Sequence, residues 1–191
     1  MFSLPCVIFA GGKSSRMGRD KSLLPFGRYP TLAQFQYDRL QSLFSDVYLS
    51  AKSADKFDFD AKVIKDPEED VNIFAPTAGF VSAFQSLDSD KIFVLSVDTP
   101  FVGETEISEL LAADTPELDA VIARTHSGSH PMCGIYHRSL LRQFESMLKE
   151  DKHRLGMLLK SSHTHFVDFK NEGKFANLNH PHEYEAALRK L

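Results

Sequence analysis

Leu4-Pro5-Cys6-Val7-Ile8-Phe9-Ala10 runs directly into Gly11-Gly12-Lys13-Ser14-Ser15-Arg16-Met17-Gly18-Arg19-Asp20-Lys21. The first part is apolar at both odd and even positions. A strand with one wet face would alternate, so this run predicts a strand buried on both faces of a parallel sheet. Where such a strand ends, unpaired backbone N–H groups point outward and the dipole of a following helix favours negative charge. Paired glycines let an anion approach the main chain with no Cβ in the way. Arg16 adds a planar fork of donors, and Lys21 adds a compact point charge.

The same logic extends along the chain. Lys91-Ile92-Phe93-Val94-Leu95-Ser96-Val97 is a second doubly apolar run, and it leads into Asp98-Thr99-Pro100. Between the two, Thr31 can cap a helix carrying Leu32, Phe35, Leu40, Leu43 and Phe44. Residues 46–51 and 62–65 predict short strands, and residues 78–87 a helix. Beyond Pro100 the expected order is a helix around Ile107, Leu110 and Leu111, then strands at 119–123 and 133–136. Helices at 139–149 and 154–160, a strand at 164–168 and a helix at 181–190 complete it. Strands alternating with helices imply an α/β fold with a mostly parallel sheet. No repeat, low-complexity tract or linker interrupts the 191 residues, so a single domain over residues 1–191 is expected.

Bulk composition narrows the partners. The formal net charge is −4, which offers no basic field for nucleic acid. The apolar run at residues 4–10 is too short to span a membrane and lacks a basic segment before it, so no membrane partner and a cytoplasmic location are expected. The two cysteines, Cys6 and Cys133, lack metal-ligand spacing, and Cys6 reads as a small core residue. The eight histidines include the pairs His126/His130, His163/His165 and His180/His182, without a zinc spacing, and read as surface or loop residues. Residues 55–60 read as a solvated acidic loop, and no Ser/His/Asp or Cys/His triad assembles.

Several phosphate-binding patterns can be compared with the first stretch. Gly12-Lys13-Ser14 ends like a Walker A loop, but the glycine that motif needs further upstream would fall on Val7. The dinucleotide pattern Gly-x-Gly-x-x-Gly is not supplied by Gly11, Gly12 and Gly18. Ala10-Gly11-Gly12-x-x-x-Arg16-Met17-Gly18-x-Asp20-Lys21 instead resembles the signature of NDP-sugar pyrophosphorylase-like nucleotidyltransferases. With Leu23-Leu24-Pro25 after it, the stretch most resembles the molybdenum cofactor guanylyltransferases, the MobA family. Val97-Asp98-Thr99-Pro100 is similar to the Cys-Asp-x-Pro motif of that family. It is less like the Gly-Asp-Gln-Pro of the cytidylyltransferases acting on the same cofactor.

The resemblance implies a Rossmann-like three-layer sandwich and a Mg²⁺-dependent transfer of GMP from GTP to molybdenum-molybdopterin. It assigns Phe9, Ala10, Gly11, Gly12, Lys21, Ser50, Asp66 and Asp98 to the nucleotide, with Arg16, Lys21 and Asp98 catalytic and Asp98 the metal ligand. An Asp closing a central strand and one Mg²⁺ carried by phosphates are chemically compatible; a turn Asp before Pro100 is the plainer alternative. Asp66 before Pro67 equally suits a turn. Pro76-Thr77-Ala78-Gly79 resembles the family's Gly-Pro-Leu-Ala-Gly loop, with Ala75 and Thr77 departing from it, and Ser50 stands where Asn is frequent. Phe175-Ala176-Asn177-Leu178-Asn179-His180-Pro181 resembles Phe-x-Asn-x-Asn-x-Pro. It implies that Asn177 and Asn179 face molybdopterin; a helix cap before Pro181 is the alternative. His130-Pro131 resembles a His-Pro-Thr segment, with Met132 in place of Thr. Cofactor-delivery and acceptor proteins are implied partners. The rival functions are a CTP-dependent or sugar-phosphate nucleotidyltransferase, a non-catalytic nucleotide-binding module, and a dinucleotide-dependent oxidoreductase.

Overall fold

Strand β1 (Cys6–Phe9) divides the core as its sequence predicts: Cys6 and Ile8 pack on one side of the sheet, Val7 and Phe9 on the other. The computed structural model describes residues 1–11, 18–66 and 76–191. Over these the chain continues with α1 (Leu32–Gln41), β2 (Val47–Ala51), β3 (Val63–Lys65), α2 (Pro76–Ser86), β4 (Lys91–Ser96) and α3 (Glu104–Ala112). Then come β5 (Ala120–Thr125), β6 (Gly128–His137), α4 (Leu141–Lys149), α5 (Leu155–Ser161), β7 (Thr164–Asp168) and α6 (Pro181–Leu188). The seven strands form one sheet in the order β3-β2-β1-β4-β6-β5-β7.

Helices α1, α3 and α6 cover one face through Leu32, Leu40, Ile107, Leu110 and Ala187; α2, α4 and α5 cover the other through Phe80, Phe84, Phe144 and Leu159. Each large side chain withdrawn from water in these two cores contributes about 1.5–3 kcal/mol. Thr31 caps α1 as expected, its Oγ1 accepting from Gln34 N–H at 3.1 Å.

The expected α/β sandwich with a mostly parallel sheet is the observed architecture. Only β6 runs against its neighbours, pairing antiparallel with β4 and β5. The cause lies in the β5–β6 connection, where Thr125 pairs with Gly128 across a tight hairpin. A parallel pair would need a crossover of a dozen or more residues. β6 is also much longer than the strand expected at 133–136, beginning at Gly128.

One local expectation changes. His130 and His137 lie in β6 rather than on loops. The His137 Nε2 is 2.7 Å from the buried Asp114, which also pairs with Lys91. Both cysteines are buried and free; burial pushes the Cys133 thiol up to about 12 and the Cys6 thiol higher still, so both stay neutral. Among the described residues no helix is long and apolar enough to cross a membrane.

Candidate active site

Three adjacent parallel strands set the site. Phe9 lies opposite Ser50 of β2 and opposite Ser96 of β4, so the segments leaving β1, β2 and β4 emerge side by side. After β1 the chain moves out through β2 to β3, then returns to β4 on the other flank. Such a reversal of strand order opens the crevice in which α/β sheets bind ligands.

On the β4 side, Asp20 caps a single 3₁₀ turn, Lys21–Leu23. Its carboxylate accepts from the backbone N–H of Ser22 at 3.0 Å and from the Ser22 hydroxyl at 2.7 Å. From this turn the Lys21 ammonium forms an ion pair with Asp98 and donates to Asn179 Oδ1 at 3.0 Å. The other Asp98 oxygen accepts from Ser96 Oγ at 2.6 Å. The Lys21 and Asp98 side chains are 16% and 14% exposed, so the charges attract through a poorer dielectric than at an open surface.

The segment after residue 175 closes back onto this end of β4. Leu178 N–H donates to the Asp98 carbonyl at 2.9 Å, and the Thr99 hydroxyl donates to Asn177 Oδ1 at 2.8 Å. Asn177 and Asn179 thus flank the same strand end, with buried Leu178 between them. Neither caps α6: Glu183 accepts from the N–H groups of Asn179 and His180 at 2.7 Å each. The helix-cap alternative for these asparagines therefore falls away.

On the β2 side, Ser50 Oγ donates to Asp66 Oδ1 at 2.9 Å. Burial raises the Asp66 pKa, partly offset by this hydrogen bond and by Lys52 and Lys56. A Cβ on Gly11 would stand 3.6 Å from the other Asp66 oxygen, which places the start of the glycine-rich segment beside this carboxylate. Gly79 permits α2 to close against the same floor: a Cβ there would sit 2.6 Å from the Phe9 ring and 2.7 Å from Ser50 Oγ. Phe9, Ala10, Gly11, Ser50, Asp66 and Gly79 are consequently neighbours. Gly12 and Arg16, like Pro67 and Ala75, lie outside the described residues.

Some contributors carry no motif. Gln36 on α1 is fully buried, and its amide nitrogen donates to the carbonyls of Ser96, Val97 and Thr99 at 3.4, 3.2 and 3.1 Å. Arg39 Nε donates to Gln36 Oε1 at 2.7 Å, steadying the amide that holds the Asp98 turn. The sequence signal was a polar residue midway between Leu32 and Leu40, on the buried stripe of α1. A chain of Thr77, His153 and Asp151 also exists, which is neither a Ser/His/Asp nor a Cys/His triad. Thr77 Oγ1 lies 2.5 Å from His153 Nδ1, and His153 Nε2 lies 2.8 Å from Asp151. Thr77 is fully buried, so this chain ties α2 to the segment before α5 and offers no open nucleophile.

Asp98 suits a Mg²⁺ ion that arrives with a nucleotide. It presents a partly exposed carboxylate at a strand end, and Mg²⁺ takes one or two carboxylates beside phosphate oxygens and water. Among the described residues no three His, Cys, Asp or Glu side chains converge on a point.

Gly11 and Asp98 thus follow adjacent parallel strands, at the carboxyl ends where α/β sheets bind ligands. Residues 6–165 match the model of the MobA-like NTP transferase domain. The chain belongs to that family. A molybdenum cofactor guanylyltransferase of Campylobacter jejuni (strain RM1221) is 40% identical over 188 residues, covering 98% of this chain and 97% of the relative. One of Helicobacter pylori (strain J99) is 33% identical over 194 residues, covering 99% and 90%. Molybdopterin-guanine dinucleotide biosynthesis protein A of Archaeoglobus fulgidus has the same fold, with a TM-score of 0.76 at 17% identity over 98% of each chain.

Proposed function

We propose that this member of the family transfers GMP from GTP to molybdenum-molybdopterin, releasing pyrophosphate and forming the guanine dinucleotide cofactor. The observation that carries the reading is the junction of Lys21 with both Asp98 and Asn179. It joins a cation suited to a triphosphate and a carboxylate suited to the accompanying Mg²⁺ with an amide suited to a pterin acceptor. The relatives named molybdenum cofactor guanylyltransferase support the same substrates.

The terminal phosphate oxygen of molybdopterin attacks the α-phosphorus of GTP in line. A new P–O bond forms as the bond from the α-phosphorus to the bridging oxygen breaks, and pyrophosphate departs with that electron pair. No protein nucleophile is needed, because such transfers depend on positioning and on neutralising charge. Asp98 would hold Mg²⁺, which when bound spreads the phosphate charge and fixes the geometry of the leaving group. Lys21 carries positive charge to the phosphates, and Arg16 is assigned as a second cation. Backbone groups of Ala10, Gly11 and Gly12 are assigned to the phosphates beside Phe9, Ser50 and Asp66 to the base, and Asn177 and Asn179 to molybdopterin. The reaction takes place in the cytoplasm, with cofactor-delivery and acceptor proteins as partners.

Titration of the protein with GTP, CTP and ATP in the presence of Mg²⁺ tests this. GTP should bind most tightly, and Asp98→Asn should remove the benefit of Mg²⁺. Preference for CTP would overturn the guanylyl assignment.

A further inference from the structure

Lys56 sits within the acidic stretch 55–60, and no motif marks it. Its ammonium donates to the Ala10 carbonyl at 2.6 Å and pairs with Asp20 Oδ2 at 2.7 Å. Ala10 follows β1 directly, and Asp20 immediately precedes Lys21. One side chain therefore bridges the two ends of the glycine-rich segment. We propose that Lys56 is a positioning residue that ties Ala10 to Asp20 and presets the Gly11 N–H and the Lys21 turn before nucleotide arrives. The proposal rests on the nucleotide-binding reading of that segment.

Each end of the tie is anchored. Lys56 belongs to a 3₁₀ turn, Ala54–Lys56, whose cap Ser53 accepts from Asp55 N–H at 3.2 Å. Buried Phe57 follows; it packs against Phe59, and Phe59 against Tyr37 of α1, each pair at 5.8 Å between centroids. At the far end Asp20 Oδ1 holds Ser22 while Oδ2 takes Lys56, so both oxygens are engaged and the Lys21 turn is held from two sides.

The Ala10 contact has a sharper consequence. The Ala10 carbonyl and the Gly11 N–H share one planar peptide unit, so fixing the oxygen fixes the direction of that donor. Ala10 N–H is itself bonded to the Ser50 carbonyl at 2.9 Å. A donor aimed in advance does not have to be ordered by the ligand, which is the advantage of preorganisation. Two of the three Lys56 ammonium donors are thus taken by the Ala10 carbonyl and Asp20.

The experiment uses Lys56→Met, Lys56→Arg, Asp20→Asn and the Lys56→Met/Asp20→Asn double variant. GTP affinity is measured by titration, and amide exchange at Gly11, Ser22 and Leu23 is measured in nucleotide-free protein. Lys56→Met should raise the GTP Kd about tenfold, because fewer molecules present the competent backbone, and should speed exchange at these amides. Lys56→Arg should recover part of the affinity. The double variant should be little worse than the poorer single variant, since both cut one tie. Unchanged affinity and exchange in Lys56→Met would overturn the proposal. So would losses that multiply in the double variant, which would mean that Lys56 acts on the ligand directly. If the wild-type protein does not bind GTP, the nucleotide reading fails, and exchange alone decides the tie: faster exchange in Lys56→Met upholds it and unchanged exchange overturns it.

Discussion

Lys21 and Asp98, 77 residues apart in the chain, meet as a part-buried ion pair at the junction of the β1 and β4 strand ends. Each holds the other in place at these strand ends. Truncation of either leaves its partner's charge with less compensation and removes a group assigned to the phosphates. Lys21→Ala should lower turnover about 10²–10³-fold, in the range of a lost transition-state donor. Its far-ultraviolet circular dichroism should match wild type. Single-turnover kinetics with GTP measure the loss, and near-normal turnover would remove Lys21 from the chemistry.

Gln36 predicts an effect at a distance. Gln36→Leu keeps the volume but deprives the Val97 and Thr99 carbonyls of their donor and leaves Arg39 Nε without its Gln36 partner. The fold should lose about 1–3 kcal/mol, the cost of unsatisfied buried polar groups. Turnover should drop about tenfold or more, because the Asp98 turn loses its support. Urea melts and kcat at a temperature where the variant stays folded separate the two effects.

Asp114 supplies the contrast. Its carboxylate is 1% exposed and serves Lys91 and His137 at the opposite end of β4 from Asp98. Asp114→Ala should cost about 1.5–3 kcal/mol, as expected for charge-assisted hydrogen bonds. The GTP Kd of the folded protein should be unchanged. A loss of affinity without a loss of stability would contradict this separation of roles.

Asp66 gives a pH dependence of defined sign. Burial raises its folded pKa above the ordinary carboxylate value, so the folded protein holds that proton more tightly than the unfolded chain does. Its contribution to stability is full below the unfolded pKa and is lost as pH rises through the folded one. If the ionised form meets the base, GTP affinity falls as pH drops through the raised value. Ser50→Ala removes a hydrogen bond that lowers this pKa, so the fall should move to higher pH. Carboxyl-carbon NMR titration of Asp66 in both proteins measures the shift.

The legibility of the sequence followed the range of the interaction. Burial of β1 and β4 on both faces was visible in two apolar runs, and the strand ends that lead to Gly11 and Asp98 prove to be adjacent. The reversed strand β6 was not legible as such, since its direction depends on the short hairpin at residues 125–128 and not on its own pattern. Asn177 and Asn179 could be placed on one side of an extended segment; that they contact Thr99 and Lys21 needed the tertiary structure. Lys56 was hidden because a lysine among aspartates looks like solvated surface. Phe57 and Phe59, interleaved in that stretch, were the clue that it turns inward. Gln36 was hidden in the same way, as one polar residue on an apolar helix face.

The central claim, guanylyl transfer to molybdenum-molybdopterin, is tested most directly by following α-labelled GTP with the purified protein, Mg²⁺ and the acceptor. Label should pass into a dinucleotide product with one pyrophosphate released per transfer, only when the acceptor is present, and CTP should not substitute. Transfer from CTP in place of GTP, or GTP binding without any acceptor-dependent release of pyrophosphate, would contradict the account.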